Sequence, residues 1–126
     1  PERVMRLKEF QYINHFPGMN GIARKIPLTR NLRRLKKNIS SQFRFFPTAW
    51  ILPHDISSFL KNTKIEGKPV IIKPNSGCQG RGIILTKDKR EVEKYGDSIV
   101  QLYVDKPYLI DGYKFDLRIY VLVVSY

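Results

Sequence analysis

Leu28, Leu32, Leu35 and Ile39 recur at helical spacing, with Arg30, Arg33, Arg34, Lys36 and Lys37 on the positions between them. This spacing predicts a basic amphipathic helix. Pro27 suits its first turn, and the polar cluster Asn38, Ser40 and Ser41 lets it end. The helical period is then lost. Phe43, Phe45, Phe46 and Pro47, followed by Trp50-Ile51-Leu52-Pro53, read as short extended pieces over a core, and His54 to Leu60 as another short helix.

From residue 67 onward the pattern is that of strands. Val70 to Lys73 predicts a buried strand, Asn75 to Gly82 a glycine-bearing loop and Ile83 to Thr86 the returning strand of a hairpin. Lys87 to Tyr95 is charged and helix-like, Gly96 ends it, and Ser98 to Val104 predicts a third strand. After a turn at Asp111-Gly112, residues Tyr113 to Val124 alternate and then become continuously apolar, which predicts a long strand entering a sheet interior. The class is α+β.

Composition narrows the function classes. With 42% hydrophobic and 12% aromatic residues the 126-residue chain can bury a core, so a disordered basic tail is excluded. The formal charge is +12. Residues 1–66 carry 13 basic and 4 acidic side chains, residues 67–126 carry 10 and 7, so the positive field is concentrated in the first half. The longest clean apolar run, Ile119 to Val124, is too short for a hydrocarbon layer of roughly 30 Å. One cysteine, Cys78, excludes an internal disulfide, and no His/Cys cluster offers a zinc site, which suits a reducing, intracellular setting. The opening Pro1-Glu2-Arg3 and the unpaired β-branched ending suggest a piece of a longer protein.

Two segments carry candidate chemistry. In Lys73-Pro74-Asn75-Ser76-Gly77-Cys78-Gln79-Gly80-Arg81-Gly82-Ile83, three glycines let backbone N–H groups approach an anion, with a cation at either end. A strand follows the loop, so it is neither a Walker A loop nor a dinucleotide fingerprint, and the order of lysine and glycines is not that of a protein kinase. A plain hairpin turn with solvated charges is the alternative. In Lys114-Phe115-Asp116-Leu117-Arg118, a strand would present Lys114, Asp116 and Arg118 on one face. Burying such an array calls for partners, as a phosphate ligand with magnesium would supply; an exposed salt-bridge ladder is the alternative. His15 and His54 are isolated and read as structural or surface residues, and no histidine flanks Cys78 to support a thiol nucleophile.

Several ordered segments agree with one family. Asn14-His15-Phe16-Pro17-Gly18, Arg24-Lys25, Phe46-Pro47 with Trp50 and Pro53, Ile72-Lys73-Pro74, Gly80-Arg81-Gly82-Ile83, Gln101-Leu102-Tyr103 and Gly112 to Arg118 resemble the tubulin tyrosine ligase-like family, over nearly the whole chain. The first of these is more similar to its polyglutamylase members.

The resemblance implies a partial ATP-grasp fold: a basic N-terminal region over 1–66, a central lobe over 67–100, and a hinge with the first strand of the C-terminal lobe over 101–126. It implies an ATP-dependent ligase joining free L-glutamate to the acidic tails of tubulin through an acyl phosphate, in the cytoplasm on the cytoskeleton, or at a cilium or basal body. By matching position, Lys73 would contact the α/β phosphates, Gln79 and Gly80 would form the phosphate loop with Gln79 also near the acceptor, and Gln101, Leu102, Tyr103 and Val104 would read adenine. Lys114 and Asp116 would face the nucleotide and Arg118 the reacting groups. The family's magnesium ligands would lie beyond Tyr126, so the chain by itself is expected to be inactive. Alternatives are a glycine ligase, another ATP-grasp ligase, or a non-enzymatic basic nucleic-acid-binding module. The last is disfavoured because the aromatics sit among apolar and proline residues.

Overall fold

The computed structural model describes residues 5–11, 13, 16–77 and 79–124. Strands β1 (Ala49–Leu52), β2 (Val70–Pro74), β3 (Ile84–Thr86) and β4 (Ser98–Leu102) form one antiparallel sheet in the order β1-β4-β2-β3. Helices α1 (Asn20–Ala23) and α2 (Lys25–Asn38) precede it. Helix α3 (Ile56–Leu60) and a 3-10 turn at Thr63–Ile65 link β1 to β2, and α4 (Lys89–Val92) links β3 to β4. The fold is mixed α/β with an antiparallel sheet.

Register assigns the faces. Trp50 opposite Val100, Val70 opposite Leu102 and Ile72 opposite both Val100 and Ile84 all lie on one side. Phe59, Ile65 and Val92 from the α3–β2 and β3–β4 connections pack against that side, with Trp50 edge-on to Phe59 at 5.2 Å. Burying each such large apolar side chain contributes about 1.5–3 kcal/mol, so this layer dominates stability. On the other face Ala49, Ile51 and Ile99 pack under Ile26 of α2. The same face continues past α2 to Ile71, Lys73 and Gln101. A lysine and a glutamine therefore occupy a sheet face where apolar residues would continue the core.

The helices differ in extent from the sequence pattern. Helix α2 starts three residues before Leu28, because extended Arg24 ends α1 and Lys25 opens the next helix with Pro27 in its first turn. Leu35 and Ile39 of the predicted stripe remain exposed, and Ile26 is the buried contact. Helix α4 is shorter than the charged run Lys87–Tyr95. Asp88 caps it by accepting the Arg90 N–H at 2.9 Å, and Lys94 and Tyr95 then donate to carbonyls three residues back, tightening the chain out of the α-helix. Lys89 donates to the Asn62 carbonyl at 2.9 Å and pairs with Glu66 at 2.7 Å, tying α4 to the 3-10 turn.

The turn predicted at Asp111-Gly112 is present, as a hairpin loop. It joins β5 (Leu109–Ile110) to β6 (Tyr113–Lys114), with φ of 52° and 81° at the two turn residues, the pair of positive values a two-residue hairpin loop uses. The long strand Tyr113–Val124 is not. It ends at Lys114, and Leu117, Ile119, Tyr120, Val121, Leu122 and Val124 are all exposed. A β-branched sequence supplies strand propensity but not a neighbouring backbone, and among the described residues nothing pairs with the chain after Lys114.

Candidate nucleotide-binding site

The continuation of the α2 face forms the floor of an open cleft of about 250 Å³. Ile71 and Lys73 come from β2, Gln101 and Leu102 from β4, Tyr103, Val104 and Pro107 from the segment after it, Pro47 from before β1 and Lys114 from β6. Lys73 Nζ donates to Gln101 Oε1 at 2.7 Å. Among the described residues the ion pairs are Arg33–Asp55, His54–Asp55 and Lys89–Glu66, so Lys73 faces the cleft without an anionic partner. Its burial, and secondarily the nearby charge of Lys25, hold its ammonium below the usual lysine range. An anion seated in the cleft would relieve both penalties. Lys114 Nζ lies 5.8 Å from the centre of the Tyr103 ring, at the outer reach of a cation–π contact.

The segment after β4 is fixed by its own backbone. Leu102 N–H donates to the Thr48 carbonyl at 2.9 Å and Tyr103 N–H to the Pro69 carbonyl at 3.0 Å. Those two donors are therefore committed to the fold.

The glycine loop is anchored at its start. Asn75 donates its backbone N–H to the Asp97 carbonyl at 3.1 Å and its side-chain amide to the Asp97 carboxylate at 2.8 Å. Lys25 Nζ donates to the carbonyls of Pro74 at 3.0 Å and Gly77 at 2.8 Å. Beyond this the loop turns with left-handed φ of 56° at Gln79, 77° at Gly80 and 71° at Gly82. A Cβ at Gly82 would meet Pro74 Cγ at 3.1 Å, so the loop closes tightly on its own strand.

Lys73, Gln101, Leu102, Tyr103, Val104 and Lys114 thus meet in one cleft. Gln79 and Gly80 are exposed on the loop and do not line it. Asp116 and Arg118 do not share a strand face with Lys114, because β6 ends at Lys114; they line a separate depression with Leu117 and Ile119. Asn14, His15 and Cys78 lie outside the described residues. His54 is held by Asp55, its Nδ1 2.9 Å from Oδ1. Sequence reasoning missed two positions. Lys25 gave no signal beyond its place in Arg24-Lys25, and its contacts lie 49 and 52 residues away. Asp55 had one, as the only acidic residue between Glu9 and Glu66.

Among the described residues no group of three or more His, Cys, Asp or Glu side chains could hold a metal ion. The cations of the cleft suit phosphates, but its residues do not fit a magnesium ion, which needs oxygen ligands. No helix among the described residues is long and apolar enough to cross a membrane.

The model of the tubulin-tyrosine ligase family matches residues 4–126. The chain belongs to the tubulin-tyrosine ligase family. It is 51% identical over 127 residues to the Homo sapiens protein named tubulin polyglutamylase TTLL6, covering 98% of this chain and 14% of that protein. The Danio rerio tubulin polyglutamylase ttll6 is 51% identical over 125 residues, covering 98% and 16%. A probable beta-tubulin polyglutamylase of Tetrahymena thermophila is 44% identical over 128 residues, covering 99% and 11%. This family chain therefore spans about a seventh of the length of these relatives.

Proposed function

We propose that this chain supplies part of the ATP site of a ligase that joins glutamate to the acidic tails of tubulin. The observation that carries the reading is the half-buried Lys73, without an anionic partner among the described residues, on the floor of the cleft it shares with Gln101–Val104 and Lys114. The names of the relatives support the choice of acceptor and amino acid. At about 250 Å³ the cleft falls just short of the roughly 300–1,000 Å³ of complete ligand sites, as one wall of a two-lobed ATP-grasp site would. In that arrangement residues 1–66 form a basic N-terminal region, 67–100 a central lobe, and 101–126 a hinge and the start of a second lobe.

A carboxylate is a poor electrophile; its oxygen attacks the γ-phosphorus of ATP, the bond to the bridging oxygen breaks, ADP leaves and an acyl phosphate forms. The amine of free glutamate then attacks the acyl carbon, phosphate leaves, and an isopeptide bond remains. Within this chain the Tyr103 ring and Val104 backbone hold the base. Lys73 moves from Gln101 to the phosphates, its lowered proton affinity restored by their charge. Lys114, beside the Tyr103 ring, offsets further charge. Fixed cations aimed at developing negative charge are the largest single contribution in such chemistry. Gln79 and Gly80, which do not line the cleft, reach the phosphates, and Gln79 the acceptor, only if the loop turns toward it. Asp116 and Arg118 reach the nucleotide and the reacting carboxylate only if residues 115–118 turn toward the cleft from their present exposed position.

The test incubates the full-length protein with microtubules, magnesium-ATP and labelled glutamate. Label should enter tubulin tails with wild type and fall at least about a hundredfold in Lys73→Ala, the scale of losing one preorganised charge. A clear loss is also expected in Lys114→Ala. Transfer of glycine in place of glutamate would change the substrate; absence of ATP binding would return the chain to a basic nucleic-acid-binding module.

A further inference from the structure

Strand register puts two polar side chains diagonal to Lys73. Lys73 stands opposite Ile99, so the next residues on the same sheet face are Gln101 in β4 and Asp97 just before that strand. Diagonal neighbours lie about 7–8 Å apart, within reach of a long side chain. Gln101 offers a neutral amide oxygen and Asp97 a carboxylate. Lys73 Nζ nevertheless donates to Gln101 Oε1 at 2.7 Å, and among the described residues no ion pair joins it to Asp97. Coulomb attraction alone favours the opposite choice.

Asn75 accounts for the difference. The β2–β4 ladder runs to Pro74 opposite Ser98, and Asn75 continues it by one pair. Its backbone N–H donates to the Asp97 carbonyl at 3.1 Å and its side-chain amide to Asp97 Oδ2 at 2.8 Å. Asn75 thus stands directly opposite Asp97, closer than the diagonal Lys73, and holds the carboxylate that the lysine would otherwise take. Both partners are fixed by their neighbours. Ser98 is buried between Leu52 and Pro74 next to Asp97, and Lys25 Nζ ties down the chain on either side of Asn75 through the Pro74 and Gly77 carbonyls at 3.0 and 2.8 Å. A carboxylate paired with Lys73 would compete with any phosphate entering the cleft. Neither Asn75 nor Asp97 lines that cleft, so both act through Lys73.

We propose that Asn75 is a positioning residue for Lys73: it captures Asp97, and so keeps the lysine uncommitted to a carboxylate and available to phosphates. The proposal rests on the ATP reading for the identity of the phosphates, but not for the pairing itself.

The test compares the full-length protein with its Asn75→Ala and Asn75→Ala/Asp97→Asn variants. In the first, Asp97 is free to pair with Lys73; in the second, the competing charge is gone while the contact from Asn75 is still missing. A fluorescent ATP analogue, followed by anisotropy, should bind Asn75→Ala about three- to fivefold more weakly, the scale of one partly screened ion pair, and the double variant within about 1.5-fold of wild type. A role confined to holding the loop backbone gives a double variant as weak as the single one, and that result overturns the proposal. So does an affinity of Asn75→Ala within about 1.5-fold of wild type. The second readout needs no nucleotide. Acylation of Lys73 by an amine-reactive ester, read by peptide mass spectrometry, should slow about threefold or more in Asn75→Ala, because an ion pair raises the proton affinity of the lysine, and recover in the double variant. An unchanged rate overturns the proposal. If Asn75→Ala fails to fold, Asn75→Val, better suited to an extended backbone, carries both comparisons with the same criteria. A wild type that binds no nucleotide, in a series that shows this acylation pattern, would support the pairing and remove the ligase reading. Nucleotide binding by wild type that is equal in every variant would remove this proposal alone.

Discussion

Replacing Asp55 by alanine removes the acceptor of a buried backbone N–H as well as the partner of Arg33 and His54. An unsatisfied buried donor at Ile51 costs about 1–3 kcal/mol. The Arg33 pair adds at most about 1 kcal/mol, because that side chain is 42% exposed and screened by water. His54 is 89% exposed and adds little. The expected loss is therefore about 2–3 kcal/mol for Asp55→Ala, and about 1 kcal/mol for Asp55→Asn, whose amide oxygen still accepts the Ile51 N–H. Trp50 is the only tryptophan, buried against Phe59, so its fluorescence reports unfolding of the core in a urea titration of this chain. With a slope of about 1–3 kcal/mol per molar urea, the alanine variant should unfold about 1–2 M earlier. The acid limb gives an independent reading. Burial raises the Asp55 carboxyl, but the Ile51 N–H, His54 and Arg33 outweigh it and hold the group below its usual 3.8. A depressed folded-state pKa contributes stability that is present above the unfolded value and lost as pH falls through the folded one, so this component disappears below about pH 4 in wild type and is absent in Asp55→Asn. A midpoint within about 0.2 M of wild type for Asp55→Ala, with an unaltered acid limb, would refute the assignment.

Phe59→Ala should cost about 3–5 kcal/mol and red-shift the Trp50 emission of the native state, since Phe59 is fully buried against that ring; a shift-free spectrum would contradict the packing. Lys73→Met should leave stability at neutral pH equal or higher while nucleotide binding falls. A lysine whose folded pKa is lowered carries a penalty present below the folded value and relieved as pH rises through it, and methionine removes that penalty; destabilisation by Lys73→Met would sink the reading. Lys25→Ala should speed hydrogen exchange in residues 75–77 and raise the proton affinity of Lys73, with unchanged exchange counting against the tether.

Strands β2, β3 and β4 were legible as short apolar runs bounded by turn residues, and β1 as an extended aromatic piece, because a sheet covered on both faces calls for consecutive apolar residues, as the buried Ala49–Leu52 and Ser98–Val100 show. The Asp111-Gly112 turn was legible because few residue pairs tolerate two positive φ values. Residues 115–124 misled for the opposite reason: their propensity is local, whereas pairing depends on a second backbone. The stripe Leu28, Leu32, Leu35 and Ile39 marked the helix correctly, yet Ile26 makes its contact with the sheet, since the crossing point depends on packing rather than period. Within the candidate site, Lys73, Gln101–Val104 and Lys114 came together as a set that only the family resemblance had named. Asp55 stood out as a lone acid, but its partners, the tethers from Lys25 and the commitment of the Leu102 and Tyr103 N–H groups were invisible, because each joins segments distant in sequence or depends on backbone geometry.

The central claim is that the cleft floored by Lys73 and Gln101 holds ATP. Photolabelling of the full-length protein with 8-azido-ATP, followed by mapping of the modified peptide, tests it most directly. The account predicts that label enters the segment 101–107, is blocked by excess ATP and is lost in Lys73→Ala. ATP-protected label confined to residues outside 101–107, and unchanged by Lys73→Ala, would contradict it.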